Sequence, residues 1–103
     1  MYRSSYKLRC LREDRSEVSS AKTKMRNTSS DVISVNNKIR NAANYFDDVF
    51  KCNSTQRICS NIERINFRLK GKIDGMVGDA SSLIYQIDQL IDNEISRLNE
   101  EDE

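Results

Sequence analysis

Histidine, tryptophan and proline are absent from this 103-residue chain, and glycine occurs only three times. Without histidine there is no Ser-His-Asp or Cys-His catalytic pair and no imidazole metal ligand. Proline interrupts helices because it lacks the backbone N–H and clashes with the preceding turn, so its absence permits very long helices. We therefore expect long helices in a protein that is not an enzyme, with no bound metal, no cofactor and no small-molecule substrate.

Long apolar runs are also lacking. No run approaches the 18 residues that a membrane span requires, and the N-terminus does not resemble a signal peptide. We expect no membrane insertion and a cytoplasmic location, or secretion by a route that needs no signal peptide. Only 7% of the residues are aromatic, which argues against a thick globular core.

The three cysteines, Cys10, Cys52 and Cys59, are an odd number and have no C-x-x-C spacing. Reduced thiols that act as small apolar or surface residues are the simplest interpretation. The alternative, a bridge between Cys52 and Cys59, requires an oxidising compartment.

The net charge of +1 conceals an asymmetry along the chain. Residues 1–26 hold eight Lys or Arg against three Asp or Glu, whereas residues 79–103 hold eight carboxylates against Arg97 alone. A basic start and an acidic end attract each other if the chain folds back on itself.

An uninterrupted series with a seven-residue period marks the first half of the chain: Leu11, Val18, Met25, Val32, Ile39 and Phe46. A second series of smaller residues lies between its members: Ala21, Thr28, Val35, Ala42 and Val49, with Asp14 as the exception. Together the two series advance about 3.45 residues per step, the period of a left-handed coiled coil. They predict one helix over residues 4–51.

The second half has a wider apolar stripe that runs from Ile58 to Leu98. It advances about 3.64 residues per step, the period of a nearly straight helix, and predicts a helix over residues 55–99. The stripe covers about 140° of the helix surface, which exceeds what a two-helix seam needs. Part of this face is therefore predicted to bind another chain.

The polar segment KCNSTQ separates the two helices and predicts a turn at residues 52–55. Asn53 followed by Gln56 fits a capping box. Short connections favour antiparallel neighbours, so we predict a single domain over residues 1–103, an all-α antiparallel two-helix hairpin with an acidic tail at 100–103. Because such a pair of helices has no third layer, we expect it to belong to a larger helical bundle.

Two sets of residues follow from this arrangement. The predicted hairpin seam consists of Leu11, Val18, Met25, Val32, Val35, Ile39, Phe46, Ile62, Ile65 and Leu69. The predicted partner-binding residues on the second helix are Met76, Val77, Leu83, Ile84, Ile87 and Ile91.

All three glycines fall in the segment LKGKIDGMVGDA, where a lysine follows Gly71. A phosphate-binding loop needs G-x-x-x-x-G-K-[ST] after a strand, and neither condition is met. On a helix, Gly71, Gly75 and Gly78 share one face opposite the apolar stripe. They predict either a soft, solvent-facing segment or a face on which another helix approaches closely.

Nucleic acid is not expected as a partner, since the net charge is near zero and the hairpin sets acidic residues beside the basic ones. The acidic residues are interpreted as a solvated face and a tail, so no residue is assigned a catalytic role.

The heptad-patterned hairpin, its central polar turn and the absence of a signal peptide resemble the small helical proteins of Gram-positive type VII secretion. These include the WxG-type hairpins and the small partners encoded beside LXG-domain toxins. Leu69-Lys70-Gly71 is similar to a degenerate Trp-x-Gly element, although it lies well past the turn. The Tyr-x-x-x-Asp/Glu export signal of the family is not matched, because Gln89 follows Tyr85 at that spacing.

The resemblance implies a chaperone or targeting factor that binds the helical N-terminal domain of a toxin. The sequence therefore predicts a non-enzymatic module that binds another helical protein. The alternative is a homo-oligomeric coiled-coil scaffold or adaptor, in which the chain binds itself.

Overall fold

The computed structural model describes the backbone of residues 5–50 and 53–102 and the side chains of residues 5–46 and 54–101. Helix α1 runs Tyr6–Phe50 and helix α2 runs Asn53–Asp102. The two helices pack against each other, which confirms the predicted all-α helical hairpin.

Helix α2 is longer than the sequence predicts. It begins at Asn53 and continues to Asp102, so it includes most of the segment predicted as an acidic tail. The Gln56 side chain bonds to α1, where Nε2 lies 3.2 Å from Oδ1 of Asn44; the predicted capping box with Asn53 falls partly outside the described residues. Residues 4, 51 and 52, which the predicted helix ends and turn include, lie outside the described residues, as do the side chains of Val49 and Asn53.

The start of α1 is fixed by Ser5. Its hydroxyl accepts a 3.0 Å hydrogen bond from the backbone N–H of Leu8, and its carbonyl accepts one of 3.1 Å from Arg9. These are the bonds of an N-cap residue, which satisfies N–H groups that have no partner inside the helix. The hydroxyl of Ser5 also donates to Glu94 on α2, so the cap ties the helix start to its neighbour.

The hairpin divides into two compact units. The terminal unit consists of Met1–Lys24 with Met76–Glu103, and the central unit is Met25–Gly75. In the central unit Ser29 on α1 bonds to Asp74 on α2, and Arg40 on α1 bonds to Glu63 on α2. From the first pair to the second, the position on α1 rises by eleven residues while the position on α2 falls by eleven. Equal steps in opposite directions define an antiparallel register.

The seam on α1 differs from the prediction by one residue in its second series. Ser29 and Ala43 are buried and Asn36 is half-buried, whereas the predicted Val35 is 48% exposed. Each position that packs in the seam comes four residues after a member of the seven-residue series. Each predicted position comes only three residues after such a member. Each exposed residue therefore sits 100° around the helix from the seam.

The predicted seam requires correction at four residues. Val35, Phe46, Ile65 and Leu69 are exposed, Ile65 by 64%. For Val35, Ile65 and Leu69 the reason is that the next residue in the chain, which is polar, occupies the seam. The other predicted seam residues are half-buried, and they are Leu11, Val18, Met25, Val32, Ile39 and Ile62.

Candidate protein-interaction surface

The terminal unit has an apolar seam. Leu8 on α1 is 1% exposed, and α2 contributes Ala80, Ile87 and Leu98, all buried. Val77, Ile84 and Ile91, which are half-buried, alternate with them at spacings of three and four residues. This is the knobs-into-holes spacing of a coiled coil, and it gives the unit a core of its own.

Most of the predicted partner-binding residues therefore serve the hairpin itself. The prediction is wrong for Ile87, which is 6% exposed and is a seam residue. Met76 and Leu83 are exposed, and Leu90 continues their row after seven more residues. The stripe is wide, as predicted from the sequence, but only its outer edge is accessible.

A buried carboxylate occupies one seam position of this unit. Glu94 is 2% exposed; it receives a hydrogen bond of 2.9 Å from the Ser5 hydroxyl and one of 2.6 Å from Nη2 of Arg97. The Nζ atom of Lys7 lies 4.0 Å away. The bond from Arg97 is the main cause that lowers the pKa of Glu94 to about 2, against the opposing effect of burial.

A second charged pair joins the helices of the terminal unit. Nε of Arg15 lies 2.5 Å from Oδ1 of Asp88, and Nη2 lies 3.4 Å from Oδ2. The pairing raises the pKa of Arg15. Because both side chains are more than 40% exposed, the pair fixes orientation more than it adds stability.

The central unit, by contrast, has a polar seam. Nδ2 of Asn66 donates a 2.6 Å hydrogen bond to Oδ1 of Asn36, and the Ser29 hydroxyl donates one of 2.7 Å to Asp74. Lys70 is half-buried and pairs with Asp74 at 2.6 Å. The lysine and the serine hydroxyl lower the pKa of Asp74, the lysine more strongly.

The polar seam continues towards the turn. Nε of Arg40 lies 2.6 Å from Oε1 of Glu63, and Nη1 lies 2.5 Å from Oε1 of Gln56. The bond from Arg40 is the main cause that lowers the pKa of Glu63. Burial is the main cause that raises the pKa of the Cys59 thiol, whose Sγ lies 3.3 Å from the same carboxylate. Cys59 is a free thiol, while Cys52 lies outside the described residues.

Although Val32 and Ile39 lie in the seam, half-buried, other apolar side chains of the central unit lie beside it. We call them the central apolar face, and they are Val35, Ala42, Phe46, Ile58, Ile62, Ile65 and Leu69. Val35, Ile62 and Leu69 each precede a seam residue, and in an antiparallel pair such positions flank the same side. Ile58 and Ile65 lie four residues before Ile62 and Leu69, on the same side of α2.

An open groove of about 190 Å³ marks the end of this face next to the turn. Its lining is apolar except for Thr55 and the Cys59 thiol, and it consists of Ile39, Ala42, Ala43, Phe46, Thr55, Ile58, Cys59 and Ile62. Both helices contribute, so the groove has two walls and a floor of small side chains. A surface of this kind receives large apolar side chains from another helix.

A larger groove of about 500 Å³ lies in the terminal unit. It is lined by three cations and four hydroxyl residues, namely Arg12, Arg15, Ser16, Ser19, Ser20, Thr23 and Lys24. All seven belong to one stretch of α1, so no second element closes the groove, and Arg15 is already paired with Asp88. We assign it no ligand.

The glycine face is open. A Cβ atom built on Gly71, Gly75 or Gly78 would meet no atom within 4 Å. All three residues are exposed on α2, so the hairpin's own packing does not require glycine at any of them. Whether another helix approaches them stays a prediction.

Within the described ranges 5–50 and 53–102 no group of acidic, cysteine or histidine side chains could hold a metal ion. No described stretch of either helix is apolar enough to cross a membrane. Comparison with protein-family models, with curated proteins and with solved structures found no match for this chain.

Proposed function

We propose that this protein is a non-enzymatic helical interaction module that binds a helix of a larger protein on its central apolar face. One observation carries the proposal: the central unit places asparagine, serine and lysine at several of its seam positions, while Ile58, Ile65 and Leu69 lie outside the seam. Ile58 and Ile65 are 59% and 64% exposed. Burying one such side chain stabilises a complex by about 1.5–3 kcal/mol, and contiguous apolar patches of this kind mark interaction sites.

The contrast between the two units supports the same interpretation. The terminal unit buries Leu8, Ile87 and Leu98 and so has an apolar core of its own. The central unit buries no side chain larger than Cys59 among its described residues. Its stability therefore depends more on what covers the face, and a partner helix would complete its core.

The resemblance to the small helical proteins of type VII secretion narrows the class of partner. It supports the proposal that the chain is a chaperone or targeting factor for an LXG-type toxin, whose helical N-terminal domain supplies the helix that docks. Such a factor would accompany the toxin to the secretion machine.

Co-expression with the helical N-terminal domain of an LXG toxin tests the proposal. We expect a heteromer on gel filtration for the unchanged chain and loss of that heteromer for Ile65→Glu. Phe67→Glu is the matched control, because Phe67 is 77% exposed but lies on the other side of α2. A chain that elutes as a folded monomer beside the toxin domain would contradict the proposal, and so would equal effects of the two substitutions.

A homo-oligomeric scaffold is the second candidate, favoured by a different observation. Met76, Leu83 and Leu90 form an exposed row in the terminal unit with the seven-residue spacing that coiled-coil partners share. Light scattering on the purified chain decides this point. The scaffold requires a dimer or tetramer at micromolar concentration that Leu83→Glu dissociates.

A further inference from the structure

The surroundings of the central apolar face are basic. The sequence of the central unit, residues 25–75, holds nine Lys or Arg against five Asp or Glu. Between residues 54 and 73 the only carboxylate is Glu63, and Arg40 neutralises it within the hairpin. Lys70 pairs with Asp74, so the other cations in that stretch are the ones that act on whatever approaches from outside.

Three cations of the central unit border the face itself. Lys72 follows Ile65 by seven residues and so lies in the same row of α2, and Arg68 lies one turn from Ile65. Lys38 occupies the corresponding place on α1, one turn from Val35. All three are exposed and make no ion pair with any described residue. We call them the basic rim.

We propose that the occupant of the central apolar face is an amphipathic helix whose apolar residues repeat with the heptad period and whose flanks carry Asp or Glu. This inference rests on the proposed function and specifies the chemistry of the partner. The apolar row fixes the spacing of the anchoring side chains, since Ile58 and Ile65 are seven residues apart on a helix, as are Ile62 and Leu69. The basic rim favours a partner helix with acidic side chains next to its anchoring residues, and it speeds the encounter with such a helix.

A nucleic acid would pair with the cations of the basic rim but would leave the central apolar face exposed to water. A phosphate backbone offers no apolar surface to cover Ile58, Ile65 and Leu69, which lie directly beside the rim. A helix with carboxylate flanks satisfies both, because it buries the apolar side chains while its long acidic side chains reach Lys38, Arg68 and Lys72.

Two designed peptides test the inference with the full chain. Each is a helix of about four heptads with leucine at the seam positions; one carries glutamate at the flanking positions and the other carries lysine. Fluorescence anisotropy is measured at about 0.05 M and about 0.5 M salt, which screens exposed charges. We expect the glutamate peptide to bind about tenfold more tightly at low salt, and this gap to shrink at high salt.

Charge-reversal variants locate the effect. Lys38→Glu should weaken or abolish the preference for the glutamate peptide. Arg26→Glu is the matched control, since it makes the same change in net charge at an exposed residue of α1 that is nine residues from Val35 and so lies on the opposite side of the helix. Equal effects of the two variants would overturn the inference, because net charge alone would then explain the preference.

The remaining outcomes separate this inference from the proposed function. If both peptides bind equally and Ile65→Glu abolishes both, the face binds helices and the acidic specificity is wrong. Displacement of the glutamate peptide by a single-stranded oligonucleotide of equal charge would also overturn the inference. So would a stable dimer of the chain that excludes both peptides and that Ile65→Glu dissociates, because a second copy would then be the occupant.

Discussion

Asn36 and Asn66 meet across the seam of the central unit, where Nδ2 of Asn66 lies 2.6 Å from Oδ1 of Asn36. Both side chains are half-buried at positions where a coiled coil is most stable with aliphatic residues. A buried amide pair of this kind sets the register of two helices at a cost in stability. Ser29 and Asp74, one heptad away along α1, likewise place a polar pair where apolar residues would be more stable.

Replacing both asparagines with leucine should therefore stabilise the isolated hairpin. Asn36→Leu with Asn66→Leu removes one hydrogen bond but adds apolar contact area in the seam, for a gain of about 1–3 kcal/mol in the free energy of unfolding. Urea denaturation followed by circular dichroism measures this. Asn37→Leu, which changes an exposed neighbour, serves as the control and should leave the free energy nearly unchanged. If the double variant is less stable, the hydrogen bond between the two amides contributes more to stability than leucine packing at these positions would.

Two isoleucines on α2 provide a direct test of the corrected seam. Ile87 is 6% exposed and Ile65 is 64% exposed. Ile87→Ala should lower the free energy of unfolding by about 2–4 kcal/mol, because it leaves a cavity in the terminal unit. Ile65→Ala should lower it by less than about 1 kcal/mol, since its side chain already meets water. Similar losses for the two variants would place Ile65 in the seam after all.

The helices and the seven-residue series could be predicted from the sequence, because Leu11, Val18, Met25, Val32 and Ile39 form a regular apolar pattern with no proline to interrupt it. The companion series could not. Sequence reasoning places apolar side chains in a seam, and Val35 is more apolar than the neighbouring Asn36. Only the register of α2 reveals that Asn36 has an amide partner.

The central apolar face was not among the sequence predictions for a related reason. The width of the apolar stripe on α2 indicated a partner, yet the residues chosen for it included Ile87, which the terminal unit buries. The polar residues of the seam, Ser29, Asn36, Glu63 and Asn66, can be read from the sequence. Their place in the seam could not be predicted, because a polar seam and an apolar exterior can be distinguished only once the two helical faces are paired.

Glu94 should make the terminal unit sensitive to acid. Its pKa in the folded chain is about 2, below the ordinary 4.5, chiefly because of Arg97. A carboxyl with a depressed folded pKa stabilises the fold above its unfolded pKa, and that contribution disappears as the pH falls from about 4.5 through about 2. We therefore expect the melting temperature to fall across this window, and to fall less steeply in Glu94→Gln.

Asp92→Asn is the control for that measurement, because Asp92 is exposed on the same helix and makes no ion pair with a described residue. Its acid response should follow that of the unchanged chain. Parallel acid curves for Glu94→Gln and the unchanged chain would mean that Glu94 is not held by Arg97, Ser5 and Lys7 in solution.

Alanine at the three glycines separates the two interpretations of the glycine face. The space around Gly71, Gly75 and Gly78 is open to at least 4 Å, so an added methyl group meets no steric obstacle in the hairpin. Each substitution should raise the free energy of unfolding by roughly 1 kcal/mol, because alanine loses less backbone entropy in a helix. Circular dichroism should show a higher midpoint, and binding of the glutamate peptide should not change. If binding of the toxin domain is lost while stability rises, the glycines form a second contact on which a partner helix approaches the α2 backbone directly.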